Sequence, residues 1–354
     1  MIKWLLAPLI LLALAIGILI LLPSPISATA WQPPGAPGMI EVYAPNQLLD
    51  AAELLGEGKI DGPEDVDVDS QGRVYGGTAD GRIVRVLKDG SVETVATTGG
   101  RPLGLHWDAN GQLIICDAFK GLFSLDVDTG TLTNLLTAVD GVPLVFTDDL
   151  EIARDGMIYF SDASIKYDQK HYMYDMLEAR PWGRLIRYNP ATGEATTLLQ
   201  DLYFANGIAL SQNNDFVLIN ETFRYRTIRY WISGPNAGQH DVFIDNLPGF
   251  PDGVSSSGRG TFWVALPTTR NPQADNMHPH PELKNLVAKL PDFMHPKPDR
   301  YGLILEMDET GKVLRSLHDV DGNRYPLITS VQEQGGYLYL GSLTGNSIGR
   351  LPLP

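Results

Sequence analysis

The chain has 354 residues, of which 44% are hydrophobic, and its formal net charge is -15. Such an acidic chain lacks the cationic surface with which proteins neutralise nucleic-acid phosphates, which argues against a nucleic-acid partner. The length suits one large all-β domain or two domains of ordinary size.

The N-terminal residues form the first predicted element. Trp4 to Leu22 is an uncharged apolar run of 19 residues that follows Lys3, and it is long enough to cross a bilayer. We predict a transmembrane signal anchor at residues 1–23 and a linker at residues 24–40, with the rest of the chain outside the cytoplasm. Ala28-Thr29-Ala30 resembles a cleavage site for signal peptidase, so a cleaved signal and secretion remain an alternative.

From residue 60 onward the sequence contains an internal repeat. Each copy opens with a variable residue, a small or acidic residue and an apolar one, and a turn and an apolar strand follow. Six such units that close radially make an all-β, six-bladed β-propeller, which we predict for residues 41–354. A β-sandwich is the alternative, but it would not require a fixed polar position in each copy. The copies are PEDVDVDSQGRVYGGT, PLGLHWDANGQLIICD, TDDLEIARDGMIYFSD, ANGIALSQNNDFVLIN, PDGVSSSGRGTFWVAL and ITSVQEQGGYLYLGSL.

Two of the repeat spacings are long enough to hold short helical insertions. One insertion, near residues 165–183, is predicted to interrupt the third blade, and the other, near residues 268–300, to follow the fifth. In the second insertion four apolar residues recur with the spacing of one helix face: Leu283, Leu286, Val287 and Leu290. We predict that the insertions cap one end of the propeller channel or rest on a membrane.

The second position of each repeat carries most of the polar chemistry. In a propeller these positions begin the innermost strands and crowd around the central axis: Glu64, Leu103, Asp148, Asn206, Asp252 and Thr329. Three carboxylates meeting there would repel one another and lose hydration, and a hard divalent cation would remove that cost. Carboxylate and amide oxygens without Cys or His favour Ca²⁺ over Zn²⁺. We therefore predict a calcium site, and its alternative is a water-filled channel with some protonated carboxyl groups. The predicted ligands are Glu64, Asp148, Asn206 and Asp252.

Several stretches resemble the strictosidine synthase-like family: GPEDVDVD, TDDLEIARDGMIYFSDAS, FANGIALS, PGFPDGVSSSGRGTFWVAL and LHDVDG. More distantly, the chain is similar to paraoxonases and to the gluconolactonase and regucalcin group. The resemblance covers residues 40–354 and implies a calcium-dependent six-bladed propeller. It also implies the metal ligands, because the family's glutamate, asparagine-or-aspartate, asparagine and aspartate match Glu64, Asp148, Asn206 and Asp252.

Two positions depart from the pattern of the family. Strictosidine synthases carry a catalytic glutamate where this chain has Thr329, and paraoxonases carry a histidine where it has Leu103. The chain is therefore not expected to condense an amine with an aldehyde or to use histidine-assisted hydrolysis. Metal-assisted hydrolysis of esters or lactones remains, with Asp252 or Asp148 as general base and Asp252 favoured. The alternative is a non-catalytic extracytoplasmic binding propeller whose calcium is structural.

Apolar residues of the two insertions are expected to surround the entrance to the site: Tyr172, Met173, Tyr174, Met176, Trp182, Leu286 and Met294. Leu103 would add an apolar side chain close to the ion. Ligand pockets are mostly apolar with a few polar groups, so we expect a small, neutral, hydrophobic ester or lactone as substrate. The alternative is that these side chains only pack the insertions onto the propeller.

Overall fold

Antiparallel strands build almost the whole molecule. The computed structural model describes residue 17 and residues 21–354, and within them six four-stranded sheets form the blades of a propeller. The six-bladed β-propeller predicted from the repeat is therefore confirmed. In the same part of the chain, no helix is both long and apolar enough to span a membrane. The predicted anchor at residues 1–23 lies mostly outside the described residues.

The blades follow one another in chain order, and the strands of each blade run outward from the axis. Strand β1 (Glu53–Leu55) comes before the first blade. Blade one holds β2–β5 (Val66–Val68, Val74–Gly77, Arg82–Val86, Val92–Thr97), and blade two holds β6–β9 (Pro102–Trp107, Leu113–Asp117, Gly121–Asp126, Thr131–Leu136). A small hairpin of β10 and β11 follows (Ala138–Val139, Val142–Pro143), and then blade three with β12–β15 (Thr147–Ile152, Ile158–Asp162, Gly183–Asn189, Glu194–Leu202) and blade four with β16–β19 (Ala205–Leu210, Phe216–Glu221, Arg226–Trp231, His240–Ile244). Blade five holds β20–β23 (Val254–Ser256, Thr261–Leu266, Gly302–Asp308, Val313–Asp319), and blade six holds β24–β26 (Ile328–Gln334, Tyr337–Ser342, Ile348–Pro352).

Side-chain acceptors shape the turn between the first two strands of several blades. Asp69 Oδ1 accepts the backbone N–H groups of Gln71 and Arg73, both at 2.9 Å. Asp108 has the same place in blade two, where its Oδ1 accepts from the N–H groups two and four residues later. These local bonds replace ladder bonds at the turn, so the spacing from strand start to turn is the same in both blades.

The ring is closed by a strand from the other end of the chain. β1 pairs antiparallel with β26 as the outermost strand of blade six, with Glu53 opposite Arg350. Between blades, apolar side chains of facing sheets interlock. Phe262 of blade five, for example, packs at ring-centroid distances of 6.2 Å from Phe216 and 6.0 Å from Phe243 of blade four. The closed ring therefore holds the inner strands at fixed positions around the axis.

Both insertions lie between the second and third strands of their blades. The first holds a 3-10 turn (Gln169–His171) and helix α1 (Tyr172–Glu178), and the second holds α2 (Pro272–Met277), α3 (Pro281–Val287) and a 3-10 turn (Asp292–Met294). The expectation that the second insertion follows blade five is wrong, because it lies inside that blade between β21 and β22. Further 3-10 turns are Glu41–Tyr43, Leu48–Ala51 and Thr222–Arg224.

The predicted apolar face of α3 is only partly correct. Leu283 is 46% exposed, whereas Lys284, next to it, is fully buried. The reason is a distant partner, because the Lys284 ammonium donates to the backbone oxygen of Thr29 at 2.6 Å. The N-terminal segment thus covers a side of the helix that lies next to the predicted apolar face.

Candidate functional site

The six repeat positions predicted to crowd the axis lie together at one cavity. Its volume is about 290 Å³, and its lining includes Glu64, Leu103, Asp148, Asn206, Asp252 and Thr329. Each residue comes from a different blade and lies at or just before the innermost strand of that blade. The structure thus brings together all the side chains that the sequence assigned to a calcium site, and whether they bind calcium stays a prediction.

Strand pairing is irregular at the starts of four inner strands, where these side chains lie. β6, β12, β16 and β24 each shift register against the next strand at this point, as in a β-bulge. Neighbouring blades also bond through the main chain, since Gly207 donates to the Asp252 carbonyl at 3.1 Å. A Cβ at Gly207 would lie 2.3 Å from that oxygen, so only glycine lets blades four and five approach so closely.

A residue in the left-handed region precedes three of the six positions. Gly62, Phe204 and Leu327 have φ values of 55°, 59° and 56°, in the left-handed region. Each lies two residues before a cavity residue, and Phe204 and Leu327 line the cavity themselves. Bulky residues in this region cost about 1–3 kcal/mol each, a cost that proteins accept mainly where a site needs a particular geometry.

Two residues that directly follow predicted ligands form hydrogen bonds to the next blade. Asp65 Oδ2 accepts the N–H of Leu105 at 2.9 Å, and Asp149 Oδ2 accepts the N–H of Ile208 at 2.8 Å. Thr329 donates its hydroxyl to the carbonyl oxygen of Glu64 at 2.6 Å, which joins blade six to blade one. Thr329 therefore serves the closure of the ring.

The floor of the cavity gathers three carboxyl groups whose ionisation is disfavoured. Burial, reinforced by repulsion from Asp252 and Asp148, raises the pKa of Glu64 well above its usual value. Burial and the neighbouring aspartates do the same to the pKa of Asp148. Burial raises the pKa of Asp252 to about 7, although a hydrogen bond from Asn206 opposes the rise. Among the described residues, none of the ion pairs includes these three carboxylates.

The donor set at this floor fits a calcium ion. No three His, Cys, Asp or Glu side chains of the described range are gathered closely enough to form a ready metal cluster. The three carboxylates and the amide are nevertheless hard oxygen donors from four blades, and they face one cavity. Buried carboxyl groups outside any ion pair of the described residues are the arrangement that a divalent cation relieves, and Ca²⁺ accepts such flexible oxygen sets.

The cavity walls are mostly apolar. Of the predicted rim residues, Tyr172, Met173 and Met176 line the cavity. Tyr174 and Trp182 instead pack within the neighbouring apolar cluster, Leu286 is half-buried, and Met294 is 54% exposed. The largest wall residues that the sequence reasoning missed are Phe146, Phe204, Phe223 and Phe250. Three of them lie two residues before a predicted ligand, so the alignment of the repeats contained the information needed to predict them as wall residues.

A smaller cavity of about 30 Å³ lies on the other side of the same floor, since Glu64 and Asn206 line both. At this end His106 bridges two carboxylates, with Nδ1 3.2 Å from Asp67 Oδ2 and Nε2 3.0 Å from Glu151 Oε1. Burial alone would lower the pKa of His106, but the two carboxylates outweigh it and raise that pKa well above its usual value. The bridge joins β2, β6 and β12, and the sequence analysis did not identify it.

Comparison with known sequences places the chain among strictosidine synthase-like proteins. A family model described as strictosidine synthase matches residues 148–235, and one described as strictosidine synthase-like, N-terminal, matches residues 41–86. The adipocyte plasma membrane-associated protein of Rattus norvegicus is 38% identical over 361 aligned positions, which cover 96% of each chain. Protein strictosidine synthase-like 6 of Arabidopsis thaliana is 35% identical over 315 positions, covering 87% of this chain and 83% of its own.

Solved structures share the fold. A gluconolactonase from Xanthomonas campestris superposes with a TM-score of 0.63 at 17% identity, covering 94% of this chain and 99% of its own. The calcium-binding protein regucalcin from Agrobacterium tumefaciens superposes with a TM-score of 0.57, also at 17% identity, covering 87% and 93%. At this level of identity the likeness establishes the six-bladed architecture alone.

Proposed function

This chain belongs to the strictosidine synthase-like family. We propose that it is a calcium-dependent hydrolase of hydrophobic carboxylic esters or lactones. One observation carries the proposal. Three carboxylates and one amide face the base of an apolar cavity, and no ion pair of the described residues includes any of them. A buried anionic floor under apolar walls suits an ion that activates a carbonyl and a substrate that is otherwise apolar. The gluconolactonase fold supports the same reaction class.

Each of the four polar side chains has a role in the proposed reaction. Glu64, Asp148, Asn206 and Asp252 would hold the ion, which when bound supplies a Lewis acid that polarises the acyl carbonyl. Asp252 accepts the proton of the attacking water, because it is half-buried at the floor, whereas Asp148 is only 4% exposed and is the second choice. The water oxygen bonds to the acyl carbon, the acyl C–O bond breaks, and the proton passes to the departing oxygen.

The shape and charge of the cavity favour neutral, apolar substrates. Leu103, Phe146 and Phe223 border the polar floor and offer no partner to a sugar hydroxyl. Three carboxylates around a divalent cation leave a net charge near -1, which repels additional negative charge on a substrate. We expect kcat/KM to be higher for long-chain acyl lactones and phenyl acetate than for gluconolactone. A preference for gluconolactone would overturn this substrate assignment.

The decisive assay compares ester and lactone hydrolysis in excess calcium and in excess chelator. Activity should depend on calcium, and Asp252→Asn should lower kcat by about 100-fold or more while the circular dichroism spectrum is unchanged. Asp245→Asn is the matched control, because Asp245 is exposed and does not line the cavity. Equal rates with calcium and with chelator would contradict the proposal.

A non-catalytic binding propeller with structural calcium is the second candidate. The observation that favours it is that neither remaining axis residue is positioned for proton transfer, since the Thr329 hydroxyl is bonded to Glu64 and Leu103 has no polar group. This candidate predicts no turnover across a broad ester and lactone panel, together with a lower melting temperature when calcium is removed. The Asp252→Asn variant would then affect binding of calcium alone.

We also propose that the N-terminal run anchors the propeller to a membrane, with the propeller outside the cytoplasm. The name of the rat and human relatives, adipocyte plasma membrane-associated protein, supports membrane attachment. Residues 24–29 make hydrogen bonds to both insertions, which supports their retention over cleavage after Ala30. Extraction of membranes with alkaline carbonate should leave the full-length chain in the membrane fraction, whereas a soluble chain beginning at Trp31 would favour secretion.

A further inference from the structure

The segment between the predicted anchor and the propeller packs on the first insertion. Ser27 donates its backbone N–H to Oε1 of Glu178 at 2.8 Å, and Thr29 donates its N–H to the Glu178 carbonyl at 2.9 Å. Arg180 donates back to the Ser27 carbonyl at 2.9 Å. Glu178 is fully buried, and its carboxylate also binds Lys166 at 2.7 Å, so this contact is built into the insertion.

The same segment bonds to the second insertion. Asn285 Oδ1 accepts the backbone N–H of Ala28 at 3.3 Å and the hydroxyl of Ser24 at 3.2 Å. The buried ammonium of Lys284 donates to the Thr29 carbonyl at 2.6 Å. Thr29 therefore bonds to both insertions, through its N–H on one side and its carbonyl on the other.

Apolar contacts extend the segment toward the cavity. Ile26 is 5% exposed and belongs to the same apolar cluster as Leu103, Met176 and Phe223, which line the cavity. Farther along, the Trp31 ring lies 4.1 Å from the guanidinium of Arg224 and 4.8 Å from the ring of His278. The segment thus packs against the apolar cluster whose other members form part of the cavity wall.

We propose that residues 24–35, called the strap below, are part of the binding site: the strap holds the two insertions together over the cavity and determines how tightly the cavity retains an apolar ligand. α1 and α3 also touch each other directly, but the strap adds bonds to both and closes the side of the cluster at Ile26. The apolar character of the ligand rests on the proposed function, whereas the closing role of the strap needs no turnover. Loosening the strap raises the population in which the insertions separate and the ligand leaves.

The test uses full-length protein and two variants of the strap contact. Asn285→Ala removes the acceptor for Ser24 and Ala28, and Ile26→Ala empties the apolar contact. Fluorescence titration with the neutral probe N-phenyl-1-naphthylamine measures retention of an apolar ligand. Limited trypsin digestion, followed by mass spectrometry, measures cleavage after Lys289 in the second insertion. Both readouts are taken in saturating calcium and well below the melting temperature of each variant.

Each variant should bind the probe about tenfold more weakly and should be cleaved about tenfold faster, as loss of one or two such contacts predicts. Asn46→Ala is the matched control, because Asn46 ties the N-terminal segment to β23 through Ser316 and His318 rather than to the insertions. Variants that match the wild type and the control in both readouts would overturn the proposal, and so would a wild type that does not bind the probe. Absence of ester hydrolysis would remove the proposed function without changing either readout.

Discussion

Replacing His106 with alanine should destabilise the propeller by a pH-dependent amount. His106 on β6 lies between Asp67 on β2 and Glu151 on β12, at 3.2 and 3.0 Å. Its loss leaves two largely buried carboxylates facing each other without a cation. Breaking a buried pair in this way costs about 3–5 kcal/mol, and the 27% exposure of the imidazole moves our expectation to about 2–3 kcal/mol at pH 6.

The sign of the pH dependence follows from the raised pKa of His106. An unfolded histidine titrates near pH 6.5, and the folded value lies above it. The stabilisation is therefore fully present below about pH 6.5, and it is lost as the pH rises through the folded pKa. The difference between wild type and His106→Ala should be largest at pH 6 and should shrink toward alkaline pH. Besides the two partners of His106, the carboxylates of Asp65 and Asp149 face the same small cavity, and their negative charge also favours the charged form of the imidazole.

Urea unfolding at pH 6 and at pH 9, in the same excess of calcium, measures this difference. His240→Ala is the matched control, because His240 is exposed on β19 and forms no ion pair among those of the described residues. Its effect should stay within about 0.5 kcal/mol at both pH values. If His106→Ala lowers the free energy of unfolding by the same amount at pH 6 and pH 9, the idea that a charged imidazole holds the three blades together is refuted.

Three further outcomes are expected. Gly207→Ala should destabilise the fold by more than about 3 kcal/mol in thermal unfolding, because the Cβ of the new alanine would lie 2.3 Å from the Asp252 carbonyl oxygen. Gly38→Ala is the control and should be near neutral, because a Cβ at that position meets only ordinary contacts. Calcium at 100 to 1,000 times its dissociation constant should add about 3–4 kcal/mol of stability, and a melting temperature unchanged by chelator would contradict the site. Arg350→Ala breaks an exposed pair with Glu53 and should cost less than about 1 kcal/mol in urea unfolding, a larger loss showing that β1 depends on this pair.

The propeller architecture could be predicted from the sequence because the residues that indicate it recur within each repeat. The turn acceptors Asp69 and Asp108 lie at the same distance from the start of each repeat, so the copies align without knowledge of contacts. That alignment placed six residues around the axis, and all six line one cavity. The same alignment also contained the phenylalanines two residues before the predicted ligands, which the reasoning left unused.

Features that depend on distant partners could not be read in the same way. Lys284 looks like a solvent-facing helix residue until its partner Thr29, 255 positions away, is known. The bridge at His106 likewise joins residues of three repeats, and no spacing within one repeat reveals it. The place of the second insertion was misjudged because a long gap between repeats does not reveal which strands of the blade lie before it.

The closure of the ring by β1 and β26 sets the order of events during synthesis. Glu53 and Arg350 are 297 positions apart, and the hydroxyl of Thr329 meets the Glu64 carbonyl across 265 positions. At about 5–20 residues per second, a ribosome needs roughly 15–60 s to make the chain that separates the two closing strands. Throughout that interval the blades already made expose open strand edges, and the carbonyl of Glu64 has no hydroxyl to bind. The polar floor of the cavity is therefore completed only after the last blade leaves the ribosome, and a nascent chain cannot assemble this cavity blade by blade.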